Sequence, residues 1–298
     1  MPIEQITAAA AGVWTLGDRT VRRMGFGSMR LTANPDRDLA VSVLHRAREL
    51  GVNHIDTAAF YVSPGGTLGV GSGPKRYATE LIREALTPYP DDLVITTKVG
   101  PAVDPGSGWY QAKTASQLRR QVEENLHRLG RDQLDVVNLR IFKKPGHDSI
   151  AERFRALAEL REAGLIRHLG LSHVRVDHLD EAEAIAPVVC VQNSYSLDHN
   201  RHDDEVLRAC RERGIAFVPF FALAGTRREA GGLTDHSAAV RDIARAHEVT
   251  PHQVRLAWTL HQGLHVLAIP GTGDPAHLEA NVAAGGLRLS DDELARLA

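Results

Sequence analysis

Apolar, β-rich runs alternate with amphipathic helical stretches nearly from end to end of this chain, and that alternation limits its possible folds more than any other feature. Separate all-α and all-β domains would segregate the two periods, whereas strand–helix–strand units return the chain repeatedly to one parallel sheet. After a hairpin turning at Gly17-Asp18, the strand candidates are 23–27, 53–56, 93–98, 134–139, 166–171, 188–192, 215–220 and 265–269. Helix candidates such as 38–50, 78–86, 116–129, 150–163, 203–213 and 251–261 lie between them, several opened by Asp, Ser or Thr. Gly51, Gly130, Gly164, Gly214 and Gly263 close several of these stretches.

Eight strands with interposed helices match one closed (β/α)8 TIM barrel of about 250 residues plus extensions. The expected fold is therefore α/β, a single barrel domain over residues 1–298 with an N-terminal β-hairpin. A doubly wound open sheet has the same local rhythm, so periodicity does not choose between the two. The glycine-rich stretch from Gly65 to Gly73 follows a loop rather than a strand and lacks the acidic residue of a dinucleotide fingerprint, so it reads as a mobile loop.

Lys plus Arg number 35 against 37 Asp plus Glu, a net charge of −2, which leaves no basic excess for a phosphate backbone and makes nucleic acid an unexpected partner. The longest nearly unbroken apolar run, from Ile215 to Ala224, is about half of what a membrane-spanning helix needs. The first residues carry no basic region before their short Ala run, so they do not read as a secretion signal, and a cytoplasmic protein is expected. Two cysteines, Cys190 and Cys210, are too few for a disulfide framework and read as buried thiols.

In a β/α barrel, reactive groups sit at the C-terminal ends of strands. Here those ends read Asp56 followed by Thr57-Ala58-Ala59-Phe60-Tyr61, then Lys98, then Asn138-Leu139-Arg140, then Ser172-His173, then Gln192-Asn193. An Asp, a Lys and a Tyr so placed can form one unit, in which the ammonium lowers the phenol pKa and the carboxylate holds the ammonium. A tyrosine tuned this way can protonate a carbonyl oxygen. Taken singly, Asp56 can cap a turn, Lys98 can pair with any carboxylate, and Tyr61 can be a half-buried packing aromatic. Trp109 and Tyr110 either line the mouth of a pocket or cover their own loop. His45, His127, His178, His247 and His261 lie in helical patterns, and His199 and His202 have no third ligand, so no metal is expected.

The stretches Gly51 to Tyr61, Thr97-Lys98, Gly164 to His173, Val191 to Tyr195 and Ile269-Pro270-Gly271-Thr272 together resemble the aldo-keto reductase superfamily, in family order over about residues 20–290. The resemblance implies a β/α barrel that binds NADPH in extended form without a Rossmann domain. It makes Tyr61 the proton donor to a substrate carbonyl, Lys98 the group that lowers its pKa, and Asp56 the partner of Lys98. Cofactor contacts would come from Gly27, Ser28, Met29 and Asp56. Ser172, Gln192 and His173 would hold the nicotinamide carboxamide, His173 standing where the family usually has Asn. Phe220 falls where a Tyr commonly stacks on the nicotinamide. Gly271, Thr272, His277 and Asn281 match the segment that grips the adenosine phosphate and adenine. The family often has Lys and Arg at the Gly271 and His277 positions, so the cationic clamp on the 2′-phosphate is weaker here.

The largest departure is Arg140, where the family usually places His. A guanidinium cannot act as an acid near neutrality, its pKa exceeding ~12, but it can donate hydrogen bonds and stabilise charge on a developing alkoxide. The alternative is that Arg140 turns away to an acidic partner on the rim. Within the superfamily, Asp135 to Arg140, Met24 to Met29 and Val218 to Phe221 resemble the bacterial pyridoxal reductases, also termed pyridoxine 4-dehydrogenases. That likeness implies an NADPH-dependent oxidoreductase that reduces pyridoxal to pyridoxine, with Arg140 pairing the phenolate beside the aldehyde. Two alternatives remain open: a broad-range aldehyde and ketone reductase, or a low-turnover NADPH-binding sensor. The expected partner is a small carbonyl compound, with no obligatory protein partner.

Overall fold

The computed structural model describes residues 6–68, 73–104, 108–142, 145–146, 148–199, 203–223 and 235–297. In chain order it forms β1 (Val13–Leu16), β2 (Arg19–Arg22), β3 (Phe26–Gly27), α1 (Arg37–Glu49), β4 (His54–Asp56), β5 (Val62–Ser63), β6 (Arg76–Tyr77) and α2 (Ala78–Leu86). Then follow β7 (Val94–Val99), β8 (Pro101–Asp104), β9 (Gly108–Gln111), α3 (Ala115–Leu129), β10 (Leu134–Arg140), α4 (Ala151–Glu162), β11 (Ile166–Ser172), α5 (Val176–Glu183) and β12 (Val188–Gln192). The remainder is α6 (Asp204–Glu212), β13 (Ala216–Phe217), α7 (Ala238–Ala246), α8 (Pro251–His261), α9 (Pro275–Ala283) and α10 (Asp291–Leu297).

Seven parallel strands run in the order β13-β12-β11-β10-β7-β4-β3. The expected eighth strand, 265–269, is present as a hydrogen-bonded segment joined to its neighbours by single bridges rather than as a regular strand. Leu267 N donates to Phe217 O on one side and Gly25 N donates to Ala268 O on the other, at 2.9 and 2.8 Å, so this segment closes the sheet into a barrel. The strand expected over 215–220 is short for the same reason: after Ala216–Phe217 its pairing passes to isolated bridges as the chain bends toward the cavity.

Strand alternation sorts the side chains. Val94, Val136, Cys190, Ala216, Val218 and Leu267 pack inside the barrel with Leu16 and Val21 of the hairpin, which plugs its lower end. Their alternate neighbours Ile95, Val137, Leu139, Leu171, Val191 and Ala268 pack outward against the helices. Several helices begin on side-chain caps, Asp36 for α1, Thr114 with Gln117 for α3 and Thr250 with Gln253 for α8, each satisfying backbone donors that a helix start leaves unpaired.

The middle of the barrel holds His54, fully buried, with Nε2 3.2 Å from Thr96 Oγ1 and no hydrogen-bond partner on Nδ1 among the described residues. Burial pushes its pKa down to about 4, with Lys98 adding to the effect and Asp56 opposing it. The folded state thus stays neutral where an unfolded histidine takes up a proton, so its contribution to stability is complete above about pH 6.5 and drains as pH falls to about 4, by about 3 kcal/mol. His54→Gln is expected to flatten the loss of urea stability across that window, and parallel wild-type and variant curves would count against it.

Candidate active site

The strand register brings the polar strand ends level at the open end of the barrel. Gly27 pairs with Asp56, Asn138 with Lys98, Arg140 with Ser172, and Ser172 with Gln192. Asp56, Lys98, Arg140 and Gln192 share the inward parity of the barrel interior, two residues above His54, Thr96, Asn138 and Cys190.

Lys98 Nζ lies 2.7 Å from both carboxylate oxygens of Asp56 and 2.9 Å from Thr57 O, and the two side chains are 1% and 4% exposed. So little water reaches the pair that each charge depends on the other. Tyr61 follows β4 in a tight turn: its N–H donates to Ala58 O and its carbonyl accepts from Ala78 N at the start of α2, at 2.9 and 3.0 Å. This anchoring sets the ring 4.7 Å from Lys98 Nζ, measured to the centroid. Asp56, Lys98 and Tyr61, scattered over 43 positions of sequence, are therefore one cluster.

A cavity of about 940 Å³ opens over this cluster, lined at that end by Asp56, Tyr61, Phe60, Trp109, Phe142, Arg140 and Phe220. Its volume lies near the top of the range of about 300–1,000 Å³ for small-molecule pockets. Trp109 stacks on Phe142 at 5.4 Å and meets Phe60 edge-on at 5.9 Å, forming an aromatic wall. Tyr110 instead takes its hydroxyl to Arg120. Among the described residues, Arg140 Nη1 donates to Ser172 Oγ at 2.8 Å and the guanidinium carbon lies 4.6 Å over the Phe220 ring.

Beyond the aromatic wall the cavity runs along Gly27, Met29 and Arg30 to Gly271, Thr272, Asp274, His277 and Asn281. Gly27 and Gly271 line this part of the cavity, and their backbones lie close against each other. A Cβ on Gly27 would sit 2.6 Å from Ile269 O, and one on Gly271 would sit 2.4 Å from Gly27 O, so neither position has room for a side chain. Asp274 caps α9, accepting from Ala276 N and His277 N, and these backbone donors hold its carboxyl below the usual range.

Ser28, Ser172 and Gln192 have no exposed surface and are not among the residues that line the cavity, and Arg140 lies on Ser172. The oxygens Ser28 Oγ and Gln192 Oε1 are buried without a hydrogen-bond partner among the described residues. His173 has φ +59, a left-handed backbone that Asn adopts more readily than His, and its Nδ1 is 3.1 Å from Ile141 O. Burial raises the Cys190 thiol to about 12 and the Cys210 thiol further, consistent with inert interior cysteines.

Sequence reasoning missed Arg30, Phe142, Thr250 and His252 as lining residues. Phe142 was within reach, two residues past a strand end. Thr250 and His252 carried no such signal, because they reach the cavity from the start of α8, which follows another helix. Of the glycine-rich stretch, Gly69–Ser72 lie outside the described residues, as do Asn200, Arg201 and His202. No group of three or more metal-ligating side chains occurs among the described residues, and no described helix is long and apolar enough to cross a membrane.

The family model described as Aldo/keto reductase family matches residues 23–298. Among curated proteins, the chain is 42% identical to pyridoxine 4-dehydrogenase of Escherichia coli (strain K12), over 97% of this chain and 98% of that protein. It is 38% identical to an uncharacterized oxidoreductase of Schizosaccharomyces pombe, over 98% and 90% respectively. Among solved structures, an aldo/keto reductase from Klebsiella pneumoniae in complex with NADP and acetate superimposes with a TM-score of 0.75 at 27% identity, covering 93% of this chain and 90% of that one.

Proposed function

The chain belongs to the aldo/keto reductase family, and on that premise we propose that it reduces an aldehyde to a primary alcohol with NADPH, pyridoxal to pyridoxine being the single best-supported reaction. The observation that carries the reading is the buried Asp56–Lys98 pair set against the Tyr61 ring at the wall of a cavity large enough for a dinucleotide and a small substrate. Likeness to the Escherichia coli pyridoxine 4-dehydrogenase supports the choice of substrate.

The residues present fit NADP(H). Gly27 and Gly271 line the cavity without side chains, while Ser28 Oγ and Gln192 Oε1 are buried polar atoms with no hydrogen-bond partner among the described residues. When bound, the cofactor supplies hydride to the carbonyl carbon. Tyr61 gives its phenolic proton to the carbonyl oxygen, and the Lys98 ammonium stabilises the phenolate left behind. Asp56 keeps the ammonium in place, and Phe60, Trp109 and Phe142 hold a planar substrate and exclude water. Thr272, His277 and Asn281 take the adenosine end.

Arg140, bound to Ser172 and lying over Phe220, lines the same cavity as the aromatic wall, and its role in this scheme is to pair with an ionised oxygen beside the aldehyde. The test is loss of NADPH absorbance with pyridoxal and, in parallel, benzaldehyde. Rapid oxidation with pyridoxal is expected, and no consumption with either aldehyde would favour a binding role instead. Arg140→His is expected to lower kcat/KM for pyridoxal by about 10- to 100-fold while sparing benzaldehyde. Equal losses on both substrates would remove the phenolate contact from the scheme.

A further inference from the structure

We infer that Gln192 is a positioning residue for the proton-transfer group: it holds Asp56 so that Lys98 remains available to Tyr61. This rests on the reductase reading and goes beyond a cofactor contact. Gln192 Nε2 donates to Asp56 Oδ1 at 2.6 Å, the same oxygen that Lys98 Nζ approaches at 2.7 Å, while Oδ2 receives Lys98 alone. Gln192 arrives from β12, separated from β4 in the sheet order by the three strands β11, β10 and β7, so its side chain braces Asp56 across the barrel interior. It is fully buried, and water does not compete for the bond.

Chemistry fixes the amide's orientation. An ionised carboxylate only accepts, so the nitrogen faces Asp56 and Oε1 is left as the buried atom with no hydrogen-bond partner among the described residues. The two ends of this one side chain thus have separate duties: Nε2 serves the carboxylate, and Oε1 remains for an incoming N–H or O–H donor. Without Nε2, Lys98 is the sole side-chain donor seen on Oδ1, the carboxylate is less neutralised, and it draws the ammonium more strongly from the phenol.

Three variants separate this role from general damage. Gln192→Met keeps the length and removes the donor, and kcat at saturating NADPH is expected to fall about ten- to a hundredfold. Gln192→Glu can donate to Asp56 only while the pair retains a proton, so its kcat is expected to recover toward acid pH and fall as pH rises, a limb absent from wild type. The cofactor-free Gln192→Glu protein should also lose urea stability with rising pH, because two facing carboxyls release their shared proton less readily when folded than when unfolded. Ser172→Ala, which does not touch Asp56, should weaken NADPH binding, read by quenching of tryptophan fluorescence, without adding the limb. A Gln192→Glu pH profile that follows wild type, or a Gln192→Met effect confined to NADPH affinity, overturns the inference. Absence of turnover in the wild type is the different failure: it removes the reductase reading, and the positioning role falls with it.

Discussion

Tyr61→Phe is expected to bind NADPH as wild type does and to reduce aldehydes about 10²- to 10⁴-fold more slowly, the usual contribution of a positioned general acid. The substitution removes one oxygen and leaves the ring, so its packing against Phe60 and its face toward Lys98 persist. A fall in kcat with unchanged cofactor affinity, measured by NADPH absorbance and by fluorescence quenching, assigns the proton to Tyr61. If Tyr61→Phe retained near-normal kcat, another group would have to be the donor. Arg140 is a poor candidate, since a guanidinium keeps its proton near neutrality.

Lys98→Met combines the largest losses in stability and activity. It leaves the Asp56 carboxylate, 4% exposed, with Gln192 in place of an ion-pair partner. Removing one member of a buried pair costs about 3–5 kcal/mol, because the remaining charge keeps its desolvation penalty. Urea denaturation should therefore show a large drop for Lys98→Met and a much smaller one for Lys98→Met combined with Asp56→Asn, while neither protein turns over at an appreciable rate. Should the double variant be as unstable as the single one, loss of packing by the lysine stem, not the stranded charge, would be the cause.

Much of this site was legible before any coordinates. Strand ends in a β/α barrel are reactive positions whatever the sequence between them, so Asp56, Lys98, Arg140 and Gln192 could be read as a group once the alternation was recognised. Ser28, Ser172 and Gln192 were named as cofactor contacts, yet in the folded protein they are buried outside the open cavity. Burial of this kind depends on tertiary packing, such as Arg140 lying on Ser172, and no periodicity encodes that. The fate of Arg140 shows the same limit, because sequence left it equally free to reach a rim carboxylate or turn inward. The eighth strand was placed correctly but is narrower than its apolar pattern suggested, as its hydrogen bonds are shared between Phe217 on one side and Arg23 and Gly25 on the other.

The sequence by itself determined the alternation of strands and helices and the polar residues at the strand ends, since strand and helix signals are local properties carried within a few residues, and the likeness of its motifs to one family chose the closed barrel over an open sheet. The tertiary structure alone decided which inward residues touch: that Gln192 reaches Asp56 from 136 positions away, that Lys98 is shared between Asp56 and the Tyr61 face, and that Arg140 lies on Ser172 and Phe220. Such contacts depend on strand register and barrel closure, which are set by the summed packing of the whole core and by no single segment.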